Sequence, residues 1–206
     1  MCLIIHKPAG VRLPEDLLAS AVEFNPHGFG LMAFGDGGRL VVKRRARGGL
    51  RALLALYRPH AEGECVVHLR YRTRGEIDLP NTQPLRVTPA IGLVHNGTMA
   101  VGRHSEARSD TWHLVTDYLR PILRRRLALM YDPGFGDLLA AWAGPHNRFV
   151  LMDARLGRTR IINREAGMEV NGLWLSNSRW FDGSRFPWYR RDETPAVSGA
   201  ALSFAH

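Results

Sequence analysis

Hydrophobic positions along the chain come in two alternating patterns, short unbroken runs and short stripes at helical spacing. Leu3-Ile4-Ile5 is an unbroken run, followed by Pro8 and Gly10, and predicts a buried strand over Cys2–His6. Pro14-Glu15-Asp16 opens a helix whose apolar face is Leu17, Leu18, Ala21 and Val22. Asn25-Pro26-His27-Gly28-Phe29-Gly30 ends it, with two glycines suited to a turn or to a close approach of backbone. Leu31–Phe34 and Leu40–Lys43 predict a hairpin across Gly35-Asp36-Gly37-Gly38. A helix is predicted over Gly49–Tyr57, then a strand over Cys65–Tyr71. The polar stretch Arg72–Pro84 is too long for a tight turn and has the character of an ordered functional loop.

Ala90–Val94 is a further strand, predicted to stop at His95-Asn96-Gly97. Ser109-Asp110 caps a helix expected to run to about Leu127, with a possible kink at Pro121. Asp132–Ala143 is predicted helical, and Phe149–Asp153, Thr159–Asn163, Met168–Val170 and Leu173–Ser176 as strands. The tail from Asn177, with Trp180 and Trp188, is aromatic and basic and predicts no element. No repeat and no linker divides the chain, so residues 1–206 are expected to form one domain. Strands and helices occur in blocks, which favours an α+β sandwich over a doubly wound sheet.

Composition narrows the classes. A hydrophobic content of 45% in 206 residues supports a sizeable core. No apolar run approaches the ~20 residues that span a bilayer, and the opening run is too short for a signal peptide, so a cytoplasmic setting and no membrane partner are expected. Cys2 and Cys65 form neither a metal-binding spacing nor a disulfide framework, and no metal or cofactor is implied. The net charge is +9, with arginines densest at Arg44-Arg45-Ala46-Arg47 and Arg124-Arg125-Arg126. These clusters lie apart and no nucleic-acid motif accompanies them, so they read as solvated surface rather than as a nucleic-acid site.

The candidate chemistry begins at Cys2. Removal of Met1 would leave a free amine, reference pKa about 7.7–8.0, and a thiol, about 8.5, on one residue. Such an amine can serve as base for its own nucleophile. Three further features follow in order: His68-Leu69-Arg70-Tyr71-Arg72-Thr73-Arg74-Gly75, His95-Asn96-Gly97, and Ser109-Asp110-Thr111. Each has an ordinary explanation by itself. Asn-Gly is a common hairpin turn, Asn96-Gly97-Thr98 has the form of a glycosylation sequon, Ser-Asp is a common helix cap, and a strand arginine is often an ion-pair partner.

Behind a cysteine at the second position, the four features together resemble the class II glutamine amidotransferases, over roughly residues 2–180. The resemblance implies a four-layer αββα sandwich of N-terminal-nucleophile hydrolase type. It implies Cys2 as nucleophile, with the Asn96 side-chain amide and the Gly97 backbone N–H as oxyanion hole. It implies Arg70 for the substrate α-carboxylate, Asp110 for the α-ammonium and Thr73 as support of the pocket, with Tyr71 and Gln83 beside the substrate. Asn25 and Gly28 fall near the turn that packs beside the nucleophile. His68 and His95 are expected to be structural, and Cys65 a buried small hydrophobe.

The chain departs from the family pattern at two places. Gln83 stands in Asn81-Thr82-Gln83-Pro84 where many relatives have a histidine, and Arg72 stands where a small residue is common. These changes bear on substrate choice rather than on hydrolysis. The resulting expectation is an amidohydrolase that takes glutamine through a cysteinyl thioester and releases ammonia. Because the chain stops at His206, the ammonia is expected to pass to a separate synthase. The alternatives are hydrolysis of another γ-glutamyl amide, and a non-catalytic amino-acid- or partner-binding module of the same fold.

Overall fold

The computed structural model describes residues 2–101, 107–178, 181 and 183–186. The tail around Trp180 and Trp188 lies outside them. Two antiparallel sheets carry the fold. The first contains β1 (Leu3–Lys7), β2 (Phe29–Gly35), β3 (Arg39–Arg45), β4 (Cys65–Leu69), β9 (Met168–Val170) and β10 (Leu173–Leu175), in the order β3-β2-β4-β1-β10-β9. The second contains β5 (Leu85–Arg86), β6 (Ile91–Asn96), β7 (Arg148–Asp153) and β8 (Arg158–Ile162), in that order. The short strand β5 is absent from the sequence expectation. Its two residues, Leu85 and Arg86, cannot show a period.

Alternation along each strand sorts side chains between faces. In the first sheet Leu3, Ile5, Val67 and Leu69 pack with Leu17, Leu18 and Ala21 of α1 (Glu15–Phe24) and Leu53 and Leu54 of α2 (Leu50–Tyr57). Ile4, Val66 and Trp174 point the other way and join Val94, Val150 and Met152 of the second sheet in a separate cluster. The opposite face of the second sheet, with Leu93, Phe149 and Leu151, packs on Leu114, Val115, Leu119 and Leu139. β1 is buried along its whole length because both its faces are covered.

Two boundaries differ from the sequence expectation. β6 continues through His95 and Asn96, which pair with Phe149 and Arg148, so these polar residues belong to the strand and not to a hairpin turn. The helix after Ser109 is unbroken as far as Arg125, short of Leu127, but it is not α-helical throughout. It consists of α3 (Asp110–His113), a π-helical turn (Leu114–Leu119) and α4 (Arg120–Arg125). The Pro121 ring has no room beside the carbonyl four residues earlier, and the wider turn upstream relieves that contact. α5 (Pro133–Ala143) starts where Asp132 accepts a hydrogen bond from Phe135 N.

The loop between β4 and β5 is tied down at several points. Asn81 donates to the carbonyls of Glu76 and Ala107 and accepts from Ser109 N. Arg44 donates to the carbonyls of Leu79 and Thr82 at 3.2 and 3.0 Å, so this member of the first arginine cluster is a clamp rather than free surface charge. Gly30 lets the loop cross β2, since a Cβ there would stand 2.7 Å from Pro84 Cδ.

Candidate active site

Cys2 stands at the start of the strand that runs between β4 and β10. Leu3 pairs with Leu69, so Arg70 flanks Cys2 on the β4 side. On the β10 side, Asn177 Nδ2 donates to the Cys2 carbonyl at 2.7 Å. Cys2 Sγ lies 3.5 Å from the Tyr71 carbonyl oxygen. Burial raises the thiol pKa above its ordinary value. The hydrogen bond to Tyr71 and the charge of Arg70 oppose that rise, and Asp110 adds to it. A thiol so held is protonated at neutral pH and needs a base before it can attack.

Arg70 is buried, with Nη1 donating to the Glu76 carbonyl at 2.6 Å and Nη2 to the Arg74 carbonyl at 2.9 Å. Both partners are neutral, so the two bonds aim the guanidinium without cancelling its charge. Burial lowers its pKa, and the nearby Cys2, Asp78 and Asp110 push the other way. Asp110 is buried at the first turn of α3. Its Oδ2 accepts from Met99 N at 2.7 Å and its Oδ1 from Thr111 N at 2.8 Å. Ser109 caps the same helix by accepting from Trp112 N. The fixed cation and the fixed anion thus both act on the Cys2 thiol.

Strand parity separates Asn96 from His95. Asn96 follows the parity of Val94, faces the first sheet and donates to Ser176 Oγ at 2.8 Å. The same hydroxyl accepts from Ile4 N at 2.9 Å, and Ser176 N donates to the Ile4 carbonyl. Asn96 Oδ1 is buried without a partner among the described residues. A half-turn of the amide satisfies it, because Ser176 O–H can then donate to Oδ1 while still accepting from Ile4.

His95 faces the helices. It stacks on Phe149 at 4.8 Å, with Nδ1 2.9 Å from Thr111 Oγ1 and Nε2 2.8 Å from Asn147 Oδ1. Gln83 Nε2 donates to Thr111 Oγ1, and Gln83 Oε1 accepts from His95 N at 2.5 Å. Burial lowers the His95 pKa against the pull of Asp110. Gly97 has φ +149°, and a Cβ there would run into the Asn147 side chain and stand 2.9 Å from the His146 carbonyl. Asp110, Thr111, His95, Asn147 and Gly97 therefore form a continuous series of contacts from one end of the site to the other.

Other expected residues sit further out. Thr73 is exposed in the loop. Tyr71 is 44% exposed, and its ring lies against His27 with centroids 5.2 Å apart. Asn25 is buried and donates to the Ala21 carbonyl, while the Gly28 carbonyl accepts from Arg70 N at 2.8 Å. Cys65 is fully buried, and burial pushes its thiol up to about 12. Ser176, Asn147 and Asn177 were not singled out in the sequence. A small polar residue just past the apolar run Leu173-Trp174-Leu175 is the one local sign of Ser176, and Asn147 leaves none. Among the described residues no three His, Cys, Asp or Glu side chains converge as a metal site, and no helix is long and apolar enough to cross a membrane.

No protein-family model and no curated protein matches the chain. Among solved structures it is similar to the glutamine phosphoribosylpyrophosphate (PRPP) amidotransferase from B. subtilis complexed with ADP and GMP. The identity is 15%, the TM-score 0.46, and the match covers 88% of this chain and 43% of that one. The chain thus spans less than half the length of that relative. It is also similar to a glutamine aminotransferase class-II domain protein from Silicibacter pomeroyi, with 10% identity, a TM-score of 0.40, and coverage of 75% of this chain and 73% of that one.

Proposed function

We propose that the chain is an amidohydrolase of the class II glutamine amidotransferase kind, folded as a four-layer αββα sandwich, with Cys2 as nucleophile after removal of Met1. The observation that carries this reading is the convergence on one thiol of a buried arginine and a buried aspartate, Arg70 and Asp110. An amino acid has one carboxylate and one ammonium at a single carbon. A fixed cation and a fixed anion beside a nucleophile suit that end of the substrate.

The steps follow from the groups. The Cys2 amine takes the thiol proton, and the thiolate adds to the γ-carbonyl carbon of glutamine. Negative charge grows on the carbonyl oxygen, where the Asn96 amide and the Gly97 N–H would donate. The C–N bond breaks as the amine returns its proton to ammonia. Water then attacks the thioester and releases glutamate. Ser176 holds the Asn96 amide, and Asn147 packs beside Gly97. The ammonia acceptor would be a separate synthase, and the setting the cytoplasm.

Intact-mass analysis after incubation with a diazoketone analogue of glutamine tests the proposal. The expected result is a chain lacking Met1 and carrying one adduct, blocked by glutamine and lost in Cys2→Ala. A chain that keeps Met1 and gains no adduct would falsify it.

A further inference from the structure

The turn Asn25-Pro26-His27-Gly28 brings a histidine against the segment that follows β4. Phe29 pairs with Leu69, and the main chain extends that ladder by one step. Arg70 N donates to the Gly28 carbonyl at 2.8 Å, and His27 N donates to the Arg70 carbonyl at 3.0 Å. The next bond is of another kind. Arg72 N donates to Nδ1 of the His27 ring at 2.9 Å, where a regular ladder would offer a backbone carbonyl. Gly28, at φ +110°, permits the turn, since a Cβ there would stand 2.9 Å from the Arg45 carbonyl.

The Arg72 N–H and the Tyr71 carbonyl belong to one peptide group. That group is planar and trans, so its N–H and its C=O leave from opposite edges. His27 Nδ1 holds one edge, and the oxygen on the other lies 3.5 Å from Cys2 Sγ. Turning the peptide to release one contact turns the other as well. The ring suits this task. It lies against the Tyr71 ring, and its Nδ1 accepts a hydrogen bond only while it carries no proton. Burial, followed by the charges of Arg72, Arg70 and Arg47, lowers the His27 pKa below its ordinary value. The form at pH 7 is therefore the neutral ring, with its proton on Nε2.

We infer that His27 is a positioning residue for the nucleophile: its Nδ1 sets the rotation of the Tyr71–Arg72 peptide and, through the Tyr71 carbonyl, the direction in which the Cys2 thiol is held. The inference rests on the proposed role of Cys2. It separates two tasks within one short stretch of chain. Arg70 is tied through its main chain to Gly28 and to His27 N, and through its guanidinium to the Glu76 and Arg74 carbonyls. None of these bonds uses the His27 side chain. Loss of the ring therefore frees the peptide beside the thiol and leaves the arginine in place.

The rate of Cys2 alkylation by the diazoketone analogue of glutamine provides the test. Followed by intact mass over a range of reagent concentrations, it yields a half-saturating concentration and a limiting rate. His27→Ala and His27→Gln are expected to lower the limiting rate at least about tenfold, with the half-saturating concentration changed less than about twofold. His27→Asn places Oδ1 as many bonds from the backbone as Nδ1, and should bring the limiting rate within about threefold of the unsubstituted protein. Glutamine at this position carries its oxygen one bond further out and should not. Both constants describe the folded molecules, so a smaller folded fraction in a variant changes neither. An unchanged limiting rate in His27→Ala, or His27→Asn as slow as His27→Ala, would overturn the role of His27 while the adduct kept the nucleophile. Absence of a Cys2 adduct in the unsubstituted protein would overturn the two together.

Discussion

His95 Nε2 carries the imidazole proton, because the atom it meets at 2.8 Å is the carbonyl oxygen of Asn147. The orientation of that amide follows from its nitrogen, which donates to the Ala143 carbonyl at 2.6 Å. Nδ1 is then an acceptor, and Thr111 O–H donates to it. Nitrogen NMR of the imidazole should show the neutral Nε2–H form at pH 7. An Nδ1–H form would contradict the assignment.

The same amide fills the space beside Gly97. Gly97→Ala adds a Cβ against Asn147 and places an alanine at φ +149°, so it should lower stability by more than about 1 kcal/mol. Asn147→Ala removes one buried and one partly buried hydrogen bond and should cost about 1–3 kcal/mol. The two changes share one contact, so the double variant should lose less than the sum. Denaturant unfolding of the four proteins measures the coupling. Additive losses would mean that the two residues do not touch.

His68 is fully buried between the sheets, and neither ring nitrogen has a partner among the described residues. Burial, reinforced by Arg70 and His95, lowers its pKa to about 3. An unfolded histidine titrates near 6.5, so the unfolded chain takes up a proton that the folded chain refuses. The contribution of His68 is complete above about 6.5 and is lost as pH falls toward 3. Between pH 7 and pH 5 it amounts to about 2 kcal/mol. Urea midpoints for wild type and His68→Leu at those two pH values should show the wild type losing that much more. Equal losses would place the His68 titration outside this range.

Asn96 and Ser176 should separate in kinetics. Under the proposed function, Asn96→Ala removes an oxyanion donor and should lower kcat about 10²–10³-fold with little change in KM. Ser176→Ala leaves the donor but frees its orientation, and should lower kcat less, about tenfold. Ser176→Thr keeps the hydroxyl and should recover most of the loss. An increase in KM alone for Ser176→Ala would show that it shapes substrate binding instead.

Arg70→Lys keeps the charge but loses the fork that binds the Glu76 and Arg74 carbonyls. A lysine cannot hold both carbonyls and also face a carboxylate. Under the proposed function, KM for the γ-glutamyl substrate should rise at least about tenfold, with kcat falling less. Initial-rate measurements over a range of substrate concentrations decide it, and an unchanged KM would remove Arg70 from the carboxylate site.

Much of the fold is visible in local patterns. Leu3-Ile4-Ile5, Cys65–Leu69 and Leu173-Trp174-Leu175 are each continuous or alternating apolar runs, and each is a strand. Ser109 and Asp132 both cap the helices they precede. Less is visible where a polar residue sits inside a sheet. His95 and Asn96 break the apolar run of β6 and so suggest its end, yet both are paired strand residues. Their polarity is satisfied by Thr111, Asn147 and Ser176, which come from three distant parts of the chain. No spacing rule links residues 95 and 147. The π-helical turn is hidden for a related reason, since its apolar residues keep a helical stripe while Pro121 alters only the backbone.

Ile4 and Ser176 are 172 residues apart and joined by two hydrogen bonds. Within the described fold, the first strand to be synthesised is thus flanked on one edge by the last. Until β10 has been made, that edge of β1 has no neighbour, and the Asn96 amide has no Ser176 hydroxyl to set its direction. A partly synthesised chain carries the thiol but not its surroundings. The topology therefore delays the surroundings of Cys2 until translation of the described fold is nearly complete, and it accepts slow closure of a long-range sheet as the condition.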